Sequence, residues 1–134
     1  MPISKSFMTE SDLNLLEEKG EVVNYKPKQV IVHQQSPCNK LYWIKKGVIQ
    51  IDFARLYGID VLGYLSEGDI FGEFSFMDHA DTSANASAVK EAEILEVPRE
   101  VLNSILDQDA EFAARFYRTL AMTLARRIRA SNRK

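Results

Sequence analysis

The chain has 134 residues, a formal net charge of −2, one cysteine and two histidines, with 46% hydrophobic residues. That is the size of one ordinary domain with enough apolar content to bury a core. No run approaches eighteen consecutive apolar residues, and the start "MPISKSFMTESDL" lacks the apolar block of a secretory signal, which argues against a membrane span and against export. Cys38 has no partner for an internal disulfide, so a cytoplasmic location is expected.

In chain order, "MTESDLNLLEEKG" predicts a short amphipathic helix over residues 9–20. Thr9 or Ser11 is its cap, Leu13, Leu15 and Leu16 form its apolar face, and Gly20 stops it. From residue 21 to 97 the pattern changes to short segments rich in Val, Ile and aromatics. These are "EVVNY", "QVIVH", "LYWIKKGVIQIDF", "DVLGYL", "ANASAV" and "EILEV", punctuated by Pro27, "SPCN", Gly47, "LYGID" and "SEGD". Strands at this spacing predict an antiparallel barrel or sandwich, with "RLYGID" a hairpin tip that bends at Gly58. Residues 98–134 turn helical. Pro98 suits a first turn, Val101, Leu102, Ile105 and Leu106 share one face, and a second helix begins near Asp109. Its apolar positions Phe112, Phe116, Leu120, Leu124 and Ile128 recur every four residues. That stripe is longer than a small barrel needs, so a second copy of the helix is expected to share it in a homodimer.

Charge is distributed unevenly. Residues 111–134 carry seven cations against Glu111, a net of +6, which leaves residues 1–110 at −8. Cations near a helix C-terminus complement its dipole, and the alternative use of a basic end is contact with nucleic acid or an acidic partner. No internal repeat or low-complexity linker interrupts the order of helix, barrel and two helices, so residues 1–134 are expected to form a single domain.

The stretch "FGEFSFMDHADTSANASAV" (71–89) has a Gly-Glu step after an apolar strand, then a polar loop, then a run of small residues. A loop that holds a phosphate and a sugar tends to look like this. Yet no Lys or Arg lies between Glu73 and Val89, while Glu73, Asp78 and Asp81 are acidic.

Taken together, "YKPKQVIVHQQSPCNKLYWIKKGVIQI", "LGYLSEGDIFGEFSF" and the long helix with "LARRIRASNRK" resemble the cyclic-nucleotide-binding domain, in the form found in catabolite activator protein-type bacterial regulators. The resemblance covers about residues 9–132. It implies a mainly β fold, an eight-stranded antiparallel jelly-roll barrel with a short N-terminal helix and two C-terminal helices. It also implies a cyclic nucleotide ligand, cAMP or cGMP, held in a strand–helix–strand cassette. In that family a Gly-Glu pair opens the cassette and the Glu binds the ribose 2′-hydroxyl. Backbone N–H groups and an arginine followed by Ser or Thr meet the cyclic phosphate, and the final helix closes over the base.

Carried over residue by residue, Gly72 and Glu73 match the cassette opening, Phe74 follows, and Ser75 sits where a small residue is preferred. The run Ser83-Ala84-Asn85-Ala86-Ser87-Ala88 fits the strand after the arginine, which places Thr82 in the arginine's position. Ser131 and Asn132 fall where some relatives contact the base. Gln35 stands where a turn glycine is usual.

A cyclic phosphate carries a full negative charge, costly to remove from water without a partner. Losing a bidentate arginine, at roughly 1.5–3 kcal/mol per bond, weakens binding by about two to four powers of ten. Two distant cations, Lys90 and Arg55, are the substitutes weighed. The expectation is a ligand-sensing regulatory domain with weak or lost cyclic nucleotide binding and a small-molecule effector. The alternatives are a true cyclic nucleotide sensor using a substitute cation, a sensor of another small molecule, and a relative of a transcription regulator without its helix-turn-helix. The chain stops at Lys134, so no DNA-binding domain is expected. No cofactor or metal is expected either, since His33 and His79 do not form a ligand set, and no catalytic residues stand out.

Overall fold

Thr9 begins the first element. Its hydroxyl accepts from the Asp12 amide at 3.1 Å while the Asp12 carboxylate accepts from the Thr9 amide at 2.9 Å, a reciprocal cap on α1 (Glu10–Lys19). Gly20 ends the helix as its cap. The computed structural model describes residues 7–132, and the side chains of Phe74, Ser131 and Asn132 lie outside the described residues.

Eight strands follow the expected segments closely: β1 (Glu21–Tyr25), β2 (Val30–Val32), β3 (Lys40–Lys46), β4 (Val48–Arg55), β5 (Gly58–Ser66), β6 (Ile70–Phe71), β7 (Asn85–Ala88) and β8 (Ala92–Pro98). A six-residue helix, α2 (Glu73–Asp78), sits between β6 and β7, and α3 (Arg99–Gln108) and α4 (Ala110–Asn132) close the chain. The strands pair antiparallel in two four-stranded sheets, β1-β8-β3-β6 and β2-β7-β4-β5. This is the jelly-roll arrangement expected from the sequence.

The two central strands of the first sheet are buried on both faces, so Leu41, Tyr42, Trp43 and Ile44 of β3 and Ile94, Leu95, Glu96 and Val97 of β8 are buried without alternation. Leu41, Trp43, Leu95 and Val97 pack outward against Leu16, Leu102, Phe112 and Phe116 of the helices. Tyr42, Ile44 and Ile94 point the other way and meet Ile49, Phe71, Ala86 and Ala88 between the sheets. The period-two alternation of strands assigns the two layers. Glu96 on β8 also faces inward. It accepts from the Tyr25 hydroxyl and from Lys40 Nζ at 2.9 Å. Burial and this carboxylate push the Tyr25 hydroxyl well above the usual phenol range.

Two local expectations change in detail. Arg55 pairs with Gly58, so the β4–β5 tip is Leu56-Tyr57, both almost fully exposed, and Gly58 closes the turn rather than forming its apex. Gln35 adopts φ 59°, the left-handed region that a turn glycine occupies without strain.

α1 is tied to α4 by one ion pair. Arg115 Nε and Nη2 donate to the two carboxylate oxygens of Asp12 at 2.7 and 2.8 Å. This bidentate contact, opposed by burial, holds the Asp12 carboxyl below the usual carboxylate range. A carboxyl depressed in the folded state contributes stability above its unfolded value, near pH 4, and loses it as pH falls through the folded value. Urea titrations are therefore expected to show Asp12→Asn less stable than the parent at pH 7, with the gap closing below about pH 4. Gln35→Gly is expected to raise stability by about 0.5–1 kcal/mol in the same assay, by relieving the positive φ.

Candidate functional site

The site is built where β6 runs into α2. Gly72 takes φ 87°, a left-handed turn that ends the strand and starts the helix. A side chain there would meet the Lys40 carbonyl and the Tyr42 ring, each at 3.1 Å. The turn needs glycine on both counts. It swings Glu73 inward at the first position of α2, where the residue is only 2% exposed.

Behind this turn lies a cavity of about 470 Å³, within the range of small-molecule sites. Val32, Ile51, Leu62, Leu65 and Phe71 supply apolar lining, and Gly72, Glu73, Ser75, Thr82, Ser83 and Ala84 line it as well. Six of the expected cassette residues therefore converge on one hollow. The seventh, Phe74, has a side chain outside the described residues, as do Ser131 and Asn132, whose backbones continue α4. Phe71 serves both the core and the cavity, its ring stacked on Tyr42 at 4.7 Å. Met77, by contrast, is half exposed.

Thr82 proves to be occupied. Its hydroxyl donates to the His33 carbonyl and accepts from the Ser36 amide at 3.2 Å, while its backbone exchanges bonds with Gln35 and Ser36. The residue is buried and pins the turn after β2 to the cassette. It has no free hydroxyl proton to offer an anion. Its neighbour Ser83 is exposed and lines the cavity.

The cations weighed as substitutes both lie elsewhere. Arg55 pairs with Asp60 beside the hairpin tip, Lys90 is exposed beyond β7, and neither lines the cavity. Asp78 and Asp81 are exposed and also outside the lining. What enters instead is Arg127 of α4, accompanied by Ala130. Arg127 Nη1 forms an ion pair with Glu73 Oε2, and Nη2 donates to the Ile70 carbonyl. Apart from that ion pair, Glu73 Oε2 has no hydrogen-bond donor among the described residues. Burial lowers the Arg127 pKa and the charge of Asp69 opposes this, yet a guanidinium stays protonated throughout the working range.

Arg99 locks α2 from behind. Its Nη2 donates to the Ser75 carbonyl at 2.9 Å and to the Cys38 carbonyl at 2.7 Å. Cys38 itself is half-buried, with Sγ 3.4 Å from the Lys40 carbonyl.

Sequence reasoning missed Arg127 because it sits in a run of basic residues that reads as a solvated helix end. Helical phase was the available signal. Eleven residues separate Phe116 from Arg127, about three full turns, which sets both on one face.

Residues 22–109 match the family model described as Cyclic nucleotide-binding domain. The chain is 30% identical over 115 residues to the cAMP-activated global transcriptional regulator Vfr of Pseudomonas aeruginosa, covering 82% of this chain and 52% of that protein. It is 26% identical over 123 residues to Cyclic GMP-binding protein C of Dictyostelium discoideum, covering 91% of this chain and 5% of that protein. Among solved structures, the Catabolite Activator Protein of Thermus thermophilus superimposes with a TM-score of 0.77 at 27% identity, over 93% of this chain and 57% of the other. The chain thus spans about half or less of these relatives.

Gly72→Ala is expected to cost about 1–3 kcal/mol in urea denaturation, since it strains a positive φ and presses on Tyr42.

Proposed function

Because the chain belongs to the cyclic nucleotide-binding domain family, we propose that it is a regulatory, ligand-sensing domain whose hold on cyclic nucleotides is weakened by the missing cassette arginine. One observation carries this reading. Among the described residues, the single cation lining the cavity, Arg127, is already shared between the Glu73 carboxylate and the Ile70 carbonyl. A cyclic phosphate meets no free guanidinium there. It has to compete with a buried carboxylate for one that is engaged, and separating a buried pair leaves a charge without its partner. Thr82 adds nothing, since its hydroxyl is committed to the turn after β2.

The position of Arg127 also favours a second reading, in which it serves as the substitute cation of a true cAMP or cGMP sensor. The two readings separate in one titration. Calorimetry with cyclic AMP and cyclic GMP is expected to give no heat at micromolar ligand, and submicromolar affinity refutes the weakened-site reading in favour of the second. Restoring a cation at the open position is expected to help. Ser83→Arg, at an exposed residue on the cavity wall, should strengthen cyclic nucleotide binding at least tenfold, or about 1.4 kcal/mol. Thr82→Arg should instead destabilise the fold, because it breaks the buried hydroxyl contacts.

The proposal extends to assembly and setting. The outer side of α4 leaves Tyr117 and Ile128 exposed, which supports a homodimer through this helix with a second copy of the chain. Among the described residues no helix is long and apolar enough to cross a membrane, and the unpaired Cys38 suits a cytoplasmic setting. The relatives are named as regulators and a binding protein, in keeping with a regulatory rather than a catalytic role.

A further inference from the structure

The charge of the cavity selects its occupant. Among the described residues that line it, only Glu73 and Arg127 are acidic or basic, and they are paired with each other. The lining as a whole is therefore neutral. The remaining walls are apolar or carry neutral hydroxyl and amide groups, such as Tyr64, Ser83 and Asn85. The buried carboxylate nevertheless lacks a hydrogen-bond donor at Oε2 beyond the guanidinium. That oxygen is closed off by the guanidinium and has no exposed surface, so an anion beside the pair meets repulsion from Glu73 along with attraction to an Arg127 that is already engaged.

We infer that this cavity takes an uncharged molecule with a flat apolar body and at least one hydroxyl donor, and that it discriminates against the same molecule carrying a phosphate. The inference rests on the weakened-nucleotide reading above and specifies the ligand class of the same site. The ion pair stays closed, the hydroxyl meets the neutral polar groups of the wall such as Ser83, and the flat body lies against Phe71, Ile51 and Leu62. Binding then replaces water around a neutral surface. An anionic guest must instead shed its hydration and find no unshared cation.

Matched pairs test this on the full chain. Adenosine and cyclic AMP, and guanosine and cyclic GMP, share base and ribose and differ in the phosphate. Calorimetry and thermal shift are expected to show the nucleoside of at least one pair binding tenfold or more tightly than its cyclic phosphate, with the melting midpoint raised accordingly. Glu73→Gln keeps the shape of the side chain and releases Arg127. It should shift the preference at least tenfold toward the cyclic phosphate, whereas a glutamate acting only as a sugar-hydroxyl acceptor predicts weaker cyclic nucleotide binding in that variant. Should Glu73→Gln fail to fold, Ser83→Arg adds a cation to the neutral lining and is expected to move the ratio in the same direction.

Three results overturn the inference. Cyclic nucleotides binding more tightly than their nucleosides is one, and a preference unmoved by the added positive charge is another. The third is no binding of either nucleoside up to millimolar concentration, which leaves the weakened-nucleotide reading standing. Submicromolar cyclic AMP affinity overturns both.

Discussion

One buried ion pair organises this molecule. Glu73 and Arg127 come from elements fifty-four positions apart, the cassette and the last helix, and each meets the other inside the cavity. Burying two charges is costly unless they face each other with good geometry and further hydrogen bonds. The Ile70 carbonyl supplies one of those bonds to the guanidinium. The pair therefore fixes two things together: the electrostatic character of the cavity and the place where α4 crosses it. Removing either partner leaves the other charge stranded beneath an apolar wall.

The rest of the fold holds these two residues in register. Glu73 points inward because Gly72 turns left-handed against the Lys40 carbonyl and the Tyr42 ring. Arg99 grips the Ser75 carbonyl, so α2 cannot slide along the barrel wall. On the other side, Phe112, Phe116 and Leu120 seat α4 on the outer face of the first sheet, and Arg115 clamps it to Asp12 of α1. Once those contacts set the phase of the helix, Arg127 follows. Its angular position differs from that of Phe116 by only about 20° at 100° per residue. Thr119 and Thr123, both buried, fill the same face between them.

That phase explains what the sequence showed and what it hid. Strands were legible because alternation and turn residues are local signals: β1 and the stretch through β3 and β4 fall where the pattern put them. The cap at Thr9 was legible for the same reason. The cassette was recognisable from Gly72-Glu73 and the small-residue run, and six of its residues do line one cavity. The stripe drawn every four residues along α4 drifts round the helix, because a step of four advances about 40° beyond a full turn. By Ile128 the stripe has left the buried face, and that residue is 61% exposed. Following the true face leads from Phe116 through Thr123 to Arg127 and Ala130. A charged residue there is a signal that a run of basic letters conceals. The commitment of Thr82 to His33 and Ser36 was also hidden, since both partners lie far away in sequence.

The same geometry links occupancy to helix position. The guanidinium that gives the cavity its neutral balance is the one that holds α4 against the β6–α2 turn. A guest that takes a hydrogen bond from Arg127, or takes Glu73 away from it, alters the contact that seats the helix. A guest that keeps to the neutral walls leaves the contact in place. By linkage, whatever shifts α4 changes ligand affinity by the same free energy with which the ligand shifts α4. On the proposed reading, charge in the guest separates these cases, since an anion competes for the guanidinium and a neutral molecule does not. One carboxylate and one guanidinium thus belong at once to the lining of the cavity and to the contact that seats the helix beside it.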